Sequence, residues 1–124
     1  MHQADPDAEV VVALTKLVDV AVEVWRLDRW ATKTESEASV STAAARYVVR
    51  RLRDFLEDFA IETVDLTGHP YEPGLAVEVL GTERDPTLAP GTSIVNEMVS
   101  PICLWQDGVI RHGQVVTRSL EDTQ

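Results

Sequence analysis

Apolar residues recur at Val10, Leu14, Leu17, Val18, Ala21, Val24 and Trp25, the steps of three and four that line one face of a helix. The dense valines lower helix propensity and make a strand the competing assignment. The length of the run and the spacing of Asp19, Glu23 and Arg26 favour the helix. Asp5-Pro6-Asp7-Ala8-Glu9 supplies its start: an Asp cap, Pro at the first helical position, and acids facing the positive helix end. The helix is expected to end near Trp30, followed by a polar linker over residues 31–39 with no apolar period. A second helix, capped by Ser39 or Ser41, carries Ala45, Val48, Leu52, Phe55 and Phe59 in alternating steps, with Leu56 beside them. Arg50 and Asp54, and Arg53 and Glu57, stand one turn apart on its polar side.

Two helices joined by a modest linker form an antiparallel hairpin, which cannot bury both apolar stripes by itself. Dimerisation into a four-helix bundle is the expected remedy, with Leu14, Leu17, Ala21, Val48, Leu52, Phe55 and Phe59 as the seam.

After residue 60 the period changes to two. Ile61 to Leu66 and Leu75 to Leu80 alternate, with Gly68, Pro70, Pro73 and Gly74 as punctuation between them. Pro86, Pro90 and Gly91 mark the next loop, and Thr92–Val99, Ile102–Trp105 and Val109–Thr117 are further strands. Asp107-Gly108 is a hairpin signal, because both central residues of that turn need positive φ. Pro101, having no N–H to donate, belongs at an edge or bulge. The fold class is α+β: a helical hairpin over residues 5–60, a small antiparallel β domain or half-barrel over 61–118, and a frayed tail over 119–124.

A formal net charge of -10 disfavours nucleic acid and anionic membranes as partners. No apolar run approaches a bilayer's thickness, the N-terminus lacks a secretory pattern, and Cys103 is the single cysteine, which together point to the cytoplasm. No glycine loop for phosphate, His-Glu-x-x-His or Cys-x-x-Cys is present. His69, Cys103 and His112 lack the paired spacing of zinc ligands, and read as a turn residue, a small core residue and an exposed strand residue. Cys103, between Ile102 and Leu104, has the wrong setting for a nucleophile. The scattered carboxylates are a solvated face and not a general-acid pair. The dense basic cluster Arg46, Arg50, Arg51 and Arg53 suits neighbouring acids or an acidic protein partner better than nucleic acid. No catalytic residue, metal or cofactor is expected; the pattern is that of a protein that binds and is not an enzyme.

Four ordered pieces resemble the GrpE nucleotide exchange factors. Tyr47 to Leu66 (YVVRRLRDFLEDFAIETVDL) is similar to the family's last bundle helix running into its first strand. Leu52, Leu56, Ala60, Ile61, Glu62 and Val64 fill the family's L-x-x-x-L-x-x-x-G-[VI]-E-x-[VI] places. Gly68 to Val79 (GHPYEPGLAVEV) resembles the segment that opens the family's β domain, Leu88-Ala89-Pro90-Gly91-Thr92 its Pro-Gly turn, and Gly108 to Val116 (GVIRHGQVV) its closing hairpin. The chain departs from the pattern in several places. Tyr71-Glu72-Pro73 replaces Phe-Asp-Pro, and Ala76-Val77-Glu78 stands where the family has His-Glu. Val109 follows Gly108 directly, so of two arginines only the second has a match, at Arg111. Ser100 to Gln106 is longer than usual, and the long N-terminal paired helix has no counterpart. The resemblance is therefore to a shortened, divergent member.

The resemblance implies a homodimeric cochaperone whose β domain docks on the ATPase domain of a DnaK-type chaperone, opens the nucleotide cleft and promotes ADP release. Met98, Ile102, Arg111 and Val115 match the family's contact regions. The alternative is an adaptor that keeps the fold and binds without promoting exchange.

Overall fold

The computed structural model describes residues 4–33 and 40–121. Two helices, α1 (Leu14–Lys33) and α2 (Val40–Glu57), precede six strands: β1 (Ile61–Val64), β2 (Val77–Arg84), β3 (Ser93–Ser100), β4 (Ile102–Trp105), β5 (Gly108–Arg111) and β6 (Gly113–Ser119). The architecture is α+β.

α1 starts later than its sequence signal. Asp5 closes a local turn instead, its Oδ1 accepting from Asp7 N–H at 2.9 Å and its carbonyl from Ala8 N–H at 3.2 Å. Val10, Val11 and Val12 then run non-helical and exposed, Val11 completely. Three consecutive β-branched residues penalise a helix, and with nothing packed on them no burial offsets that penalty. At the other end α1 continues through Ala31–Lys33, because Ala31 is fully buried. The remaining linker positions and Ser39 lie outside the described residues, and Ser41 falls within α2.

A 20-residue helix is about 30 Å long, whereas the chain from Lys33 to Val40 spans at most ~25 Å. Packed side by side, the helices must run antiparallel. Ala21 and Val24 of α1 meet Val49 and Leu56 of α2 in one buried cluster, with Leu14, Leu17, Leu27 and Leu52 partly buried around it. Arg53 reaches across to Asp28 at 3.5 Å. α2 ends at Glu57, and the turn that follows closes at Ala60, which takes the left-handed conformation (φ 59°) and leads directly into β1. Ile61 of β1 completes the hairpin's cluster.

The strands form two three-stranded sheets, ordered β1-β4-β5 and β2-β6-β3. All pairings are antiparallel except β2 with β6, which is parallel, so the second sheet is mixed and not purely antiparallel. The continuous strand expected over Val109–Thr117 breaks at His112, where the chain leaves one sheet for the other. Pro101 marks the matching crossing between β3 and β4, a place with no ladder bond to lose. The two crossings touch. A Cβ on Gly113 would stand 2.7 Å from Met98 Cε, 3.0 Å from the Ser100 carbonyl and 3.1 Å from Ile102 N, so a side chain there would require the methionine end to move and the backbone to give. The β4–β5 turn is shifted by one residue from the Asp-Gly expectation. Gln106 (φ 50°) and Asp107 (φ 66°) are its central pair, and Gly108 begins β5 opposite Trp105.

Hairpin and sheets are packed as one body. Trp25 of α1 enters the core made by Val95, Met98, Ile102 and Val115, while Val18 and Val22 cover Cys103. Residue 60 is thus a turn between two kinds of secondary structure, and the packing is continuous across it.

Candidate functional site

The interface between α1 and the β domain is fixed by polar contacts at three levels. Trp25 Nε1–H donates to Asp65 Oδ2 at 3.2 Å, and that carboxylate also caps the following turn by accepting from Thr67 N–H at 2.9 Å. Arg29 lies 4.8 Å from the Trp25 ring centroid, donates to the Met98 carbonyl, and has Glu97 at 3.8 Å. Nearly three turns before Arg29 along α1, Asp19 accepts from Arg111 Nη1 at 2.8 Å. A tryptophan, its stacked guanidinium and a cross-element ion pair spread over α1 resist tilting of the sheets against the helix.

This packing decides what the expected contact residues can do. Met98 and Val115 are fully buried and Ile102 is 6% exposed, all three in the core around Trp25. They are not surface, which corrects their assignment as direct contacts. The reason is register: irregularities in β3 between Val95 and Glu97, and again between Met98 and Ser100, turn Met98 to the same side as Val95. Of the four, Arg111 alone reaches solvent, and it is held by Asp19.

Exposed apolar side chains of the β domain are Val79, Leu80 and Val99 in β2 and β3 and a group in the closing hairpin, none of them among the four expected contact residues. At the β4–β5 hairpin, Trp105, Val109 and Ile110 are exposed. Pairing of Leu104 with Val109 and Cys103 with Arg111 leaves Ile110 as the extra residue, so two consecutive apolar side chains project outward. Gln106 N–H donates to the Ala60 carbonyl at 2.9 Å, bringing this tip against the end of α2. A fully extended strand has no way to show two neighbouring residues on one surface, and no local pattern in the sequence announces the bulge.

A second apolar surface runs along the hairpin. The groove between the helices, about 340 Å³, is lined by Val20, Val24, Leu27 and Leu52 with Asp19 and Glu23 at its rim. Val48, Phe55 and Phe59 continue the apolar stripe of α2, each between 45% and 47% exposed, with the two rings 5.1 Å apart. The seam residues therefore divide. Ala21 is buried inside the protomer and Leu14, Leu17 and Leu52 are partly buried there, while Val48, Phe55 and Phe59 face outward.

Of the basic cluster, Arg53 pairs with Asp28, and Arg51 stacks on Tyr47 at 5.9 Å while donating to its hydroxyl at 3.1 Å. Cys103 is fully buried. Burial pushes its thiol above the ordinary value, Arg111 draws it back and Asp19 adds to the rise, so it is held protonated and shielded from reagents. Among the described residues, no three His, Cys, Asp or Glu side chains gather to hold a metal ion, and no helix is long and apolar enough to cross a membrane. No protein-family model and no curated protein matches this chain.

Proposed function

We propose that this chain is a GrpE-like nucleotide exchange factor, a homodimeric cytoplasmic cochaperone that binds the ATPase domain of a DnaK-type chaperone and promotes ADP release. The observation that carries the reading is the passage from Leu52 to Val64. The helix with the spare apolar face is followed by a turn that closes at a left-handed residue and enters the first strand of a β domain clamped to the neighbouring helix. The same residues carry the closest motif agreement with the family.

An exchange factor does no chemistry. It needs tighter binding to the open ATPase than to the closed one, and a body stiff enough to hold that preference. The Trp25–Asp65 and Arg29–Met98 contacts supply the stiffness. Docking is assigned to the exposed end of the β domain, Trp105, Val109 and Ile110, with Arg111 beside them. Met98, Ile102 and Val115 support that surface from within. The two-helix face carrying Val48, Phe55 and Phe59 is assigned to the second copy.

The adaptor reading draws on one observation: Arg111 is already engaged by Asp19 through Nη1, so a partner meets a guanidinium whose charge is partly answered. The two readings separate in equilibrium titrations against an ATPase domain, nucleotide-free and ADP-loaded. Exchange requires nucleotide-free binding about 100-fold tighter or more. Equal affinities select the adaptor, and absence of binding to both forms removes the chaperone from the account.

A further inference from the structure

Charge is distributed unevenly along the chain. Residues 26–53 hold seven Lys and Arg against three Asp and Glu, whereas the remainder holds four against eighteen. A protein of net charge -10 therefore carries a basic segment spanning the connection of its two helices. Within it, Arg26, Arg29, Trp30 and Lys33 fall at i, i+3, i+4 and i+7 and share one face of α1. That face meets β3 in a groove of about 370 Å³, where Trp30 and Val99 supply apolar surface, Arg26, Arg29 and Lys33 positive charge, and Glu97 a carboxylate. Trp30 is 49% exposed and Val99 38%. A lysine in the last turn answers the helix dipole, but the dipole gives no reason for Arg26 two turns earlier or for an indole left half in water.

We propose that this groove docks an acidic peptide segment of a partner protein, with an apolar side chain set on Trp30 and Val99 and flanking carboxylates facing Arg26 and Lys33. The reach fits: Arg26 and Lys33 lie about 10 Å apart along the helix, the length of about three residues of extended chain. The cations also have capacity for a partner. Glu23 takes one N–H of Arg26 and Glu97 stands 3.8 Å from Arg29, so these two are partly answered, while Lys33 has no ion pair among the described residues. Arg29, held by the Trp25 ring and the Met98 carbonyl, is a charge already fixed in place. Nucleic acids and anionic bilayers spread their charge over a larger area and would bring it against the acids that dominate the rest of the chain. A short acidic segment meets the basic face alone. The groove uses neither the β4–β5 tip nor the outward face of α2, so the inference stands apart from the chaperone reading.

The test is fluorescence anisotropy of a fluorescein-labelled Gly-Asp-Glu-Leu-Asp-Glu-Gly peptide titrated with the full chain. Saturable binding that weakens as salt rises is expected. Lys33→Glu, at an exposed position in the last turn, is expected to weaken it about tenfold, and Trp30→Ser by a similar factor with the helical dichroism unchanged. Serine in place of the peptide's leucine should weaken binding, and lysine in place of its acids should abolish it. The proposal is overturned by an affinity that neither variant alters, by equal binding of the lysine peptide, or by no saturation at about 1 mM chain. It is overturned too if a single-stranded oligonucleotide or phosphatidylglycerol vesicles bind more tightly than the acidic peptide.

Discussion

Phe55 and Phe59 are the sharpest point at which to test self-association. A phenylalanine side chain offers about 200 Å² for burial, and these two remain 47% and 45% exposed, leaving about 90 Å² on each ring. In a two-fold dimer that covers both faces, the four rings remove about 360 Å² of apolar surface from water, a gross gain of about 9 kcal/mol. Association itself costs roughly 4–15 kcal/mol, so the rings decide whether the dimer exists. The double variant Phe55→Glu, Phe59→Glu removes this gain and sets charges in the seam. It is expected to raise the dimer dissociation constant by at least ~1000-fold in sedimentation equilibrium. The protomer should survive at reduced stability, because the rings are half exposed and lie outside the buried clusters, so what is lost is their mutual contact and their partial burial. Its thermal melt should therefore stay cooperative. The reasoning fails if the wild-type chain is monomeric at high micromolar concentration, or if the folded double variant associates as tightly as wild type.

Other substitutions probe the fold that presents these surfaces. Gly113→Ala drives a methyl against Met98 Cε and two backbone atoms, and is expected to cost about 1–3 kcal/mol in denaturant unfolding; a cost under ~0.5 kcal/mol would contradict the close approach. Ala60→Gly relieves a left-handed alanine and should stabilise by about 1 kcal/mol, read as an upward shift in Tm; destabilisation would show that the turn is not left-handed. Cys103 should react with a thiol reagent only at the rate of unfolding. Because its folded pKa is raised, the stability it contributes is full below the unfolded thiol's pKa, about 8.5, and is lost as pH climbs through the higher folded value. A Cys103→Ala variant should flatten that alkaline decline, and an unchanged decline would assign it to other groups.

Much of the architecture can be read from periodicity. The stripe from Leu14 to Trp25 and that from Ala45 to Phe59 give both helices, and the change of period at Ile61 falls on β1. Misreadings cluster where nonlocal contacts decide. Val10 satisfies the helical spacing, but a helix there would have no partner to pack on, and three valines in a row prevail over the Asp5 signal. Val109 to Thr117 reads as one strand because the corner at His112 is a change of sheet, set by the pairings of β5 with β4 and of β6 with β2 and β3, beside a Gly113 with little room for a Cβ. The contact residues were misplaced for a related reason. Alternation tells which residues share a face but not which face is inward, and bulges in β3 and β5 move the parity partway along each strand. Trp105 and the Val109–Ile110 pair thus become surface while Met98 and Ile102 become core.

The central claim is that the β domain of this chain opens a DnaK-type ATPase. Its most direct test is the release rate of a fluorescent ADP analogue from such ATPase domains, measured with wild-type protein and with Trp105→Ala, Val109→Ser. The account predicts a release rate that rises and saturates with wild-type concentration and returns to the intrinsic rate with the variant. A release rate indifferent to wild-type protein, with a complex nevertheless formed, would contradict the exchange function and leave an adaptor.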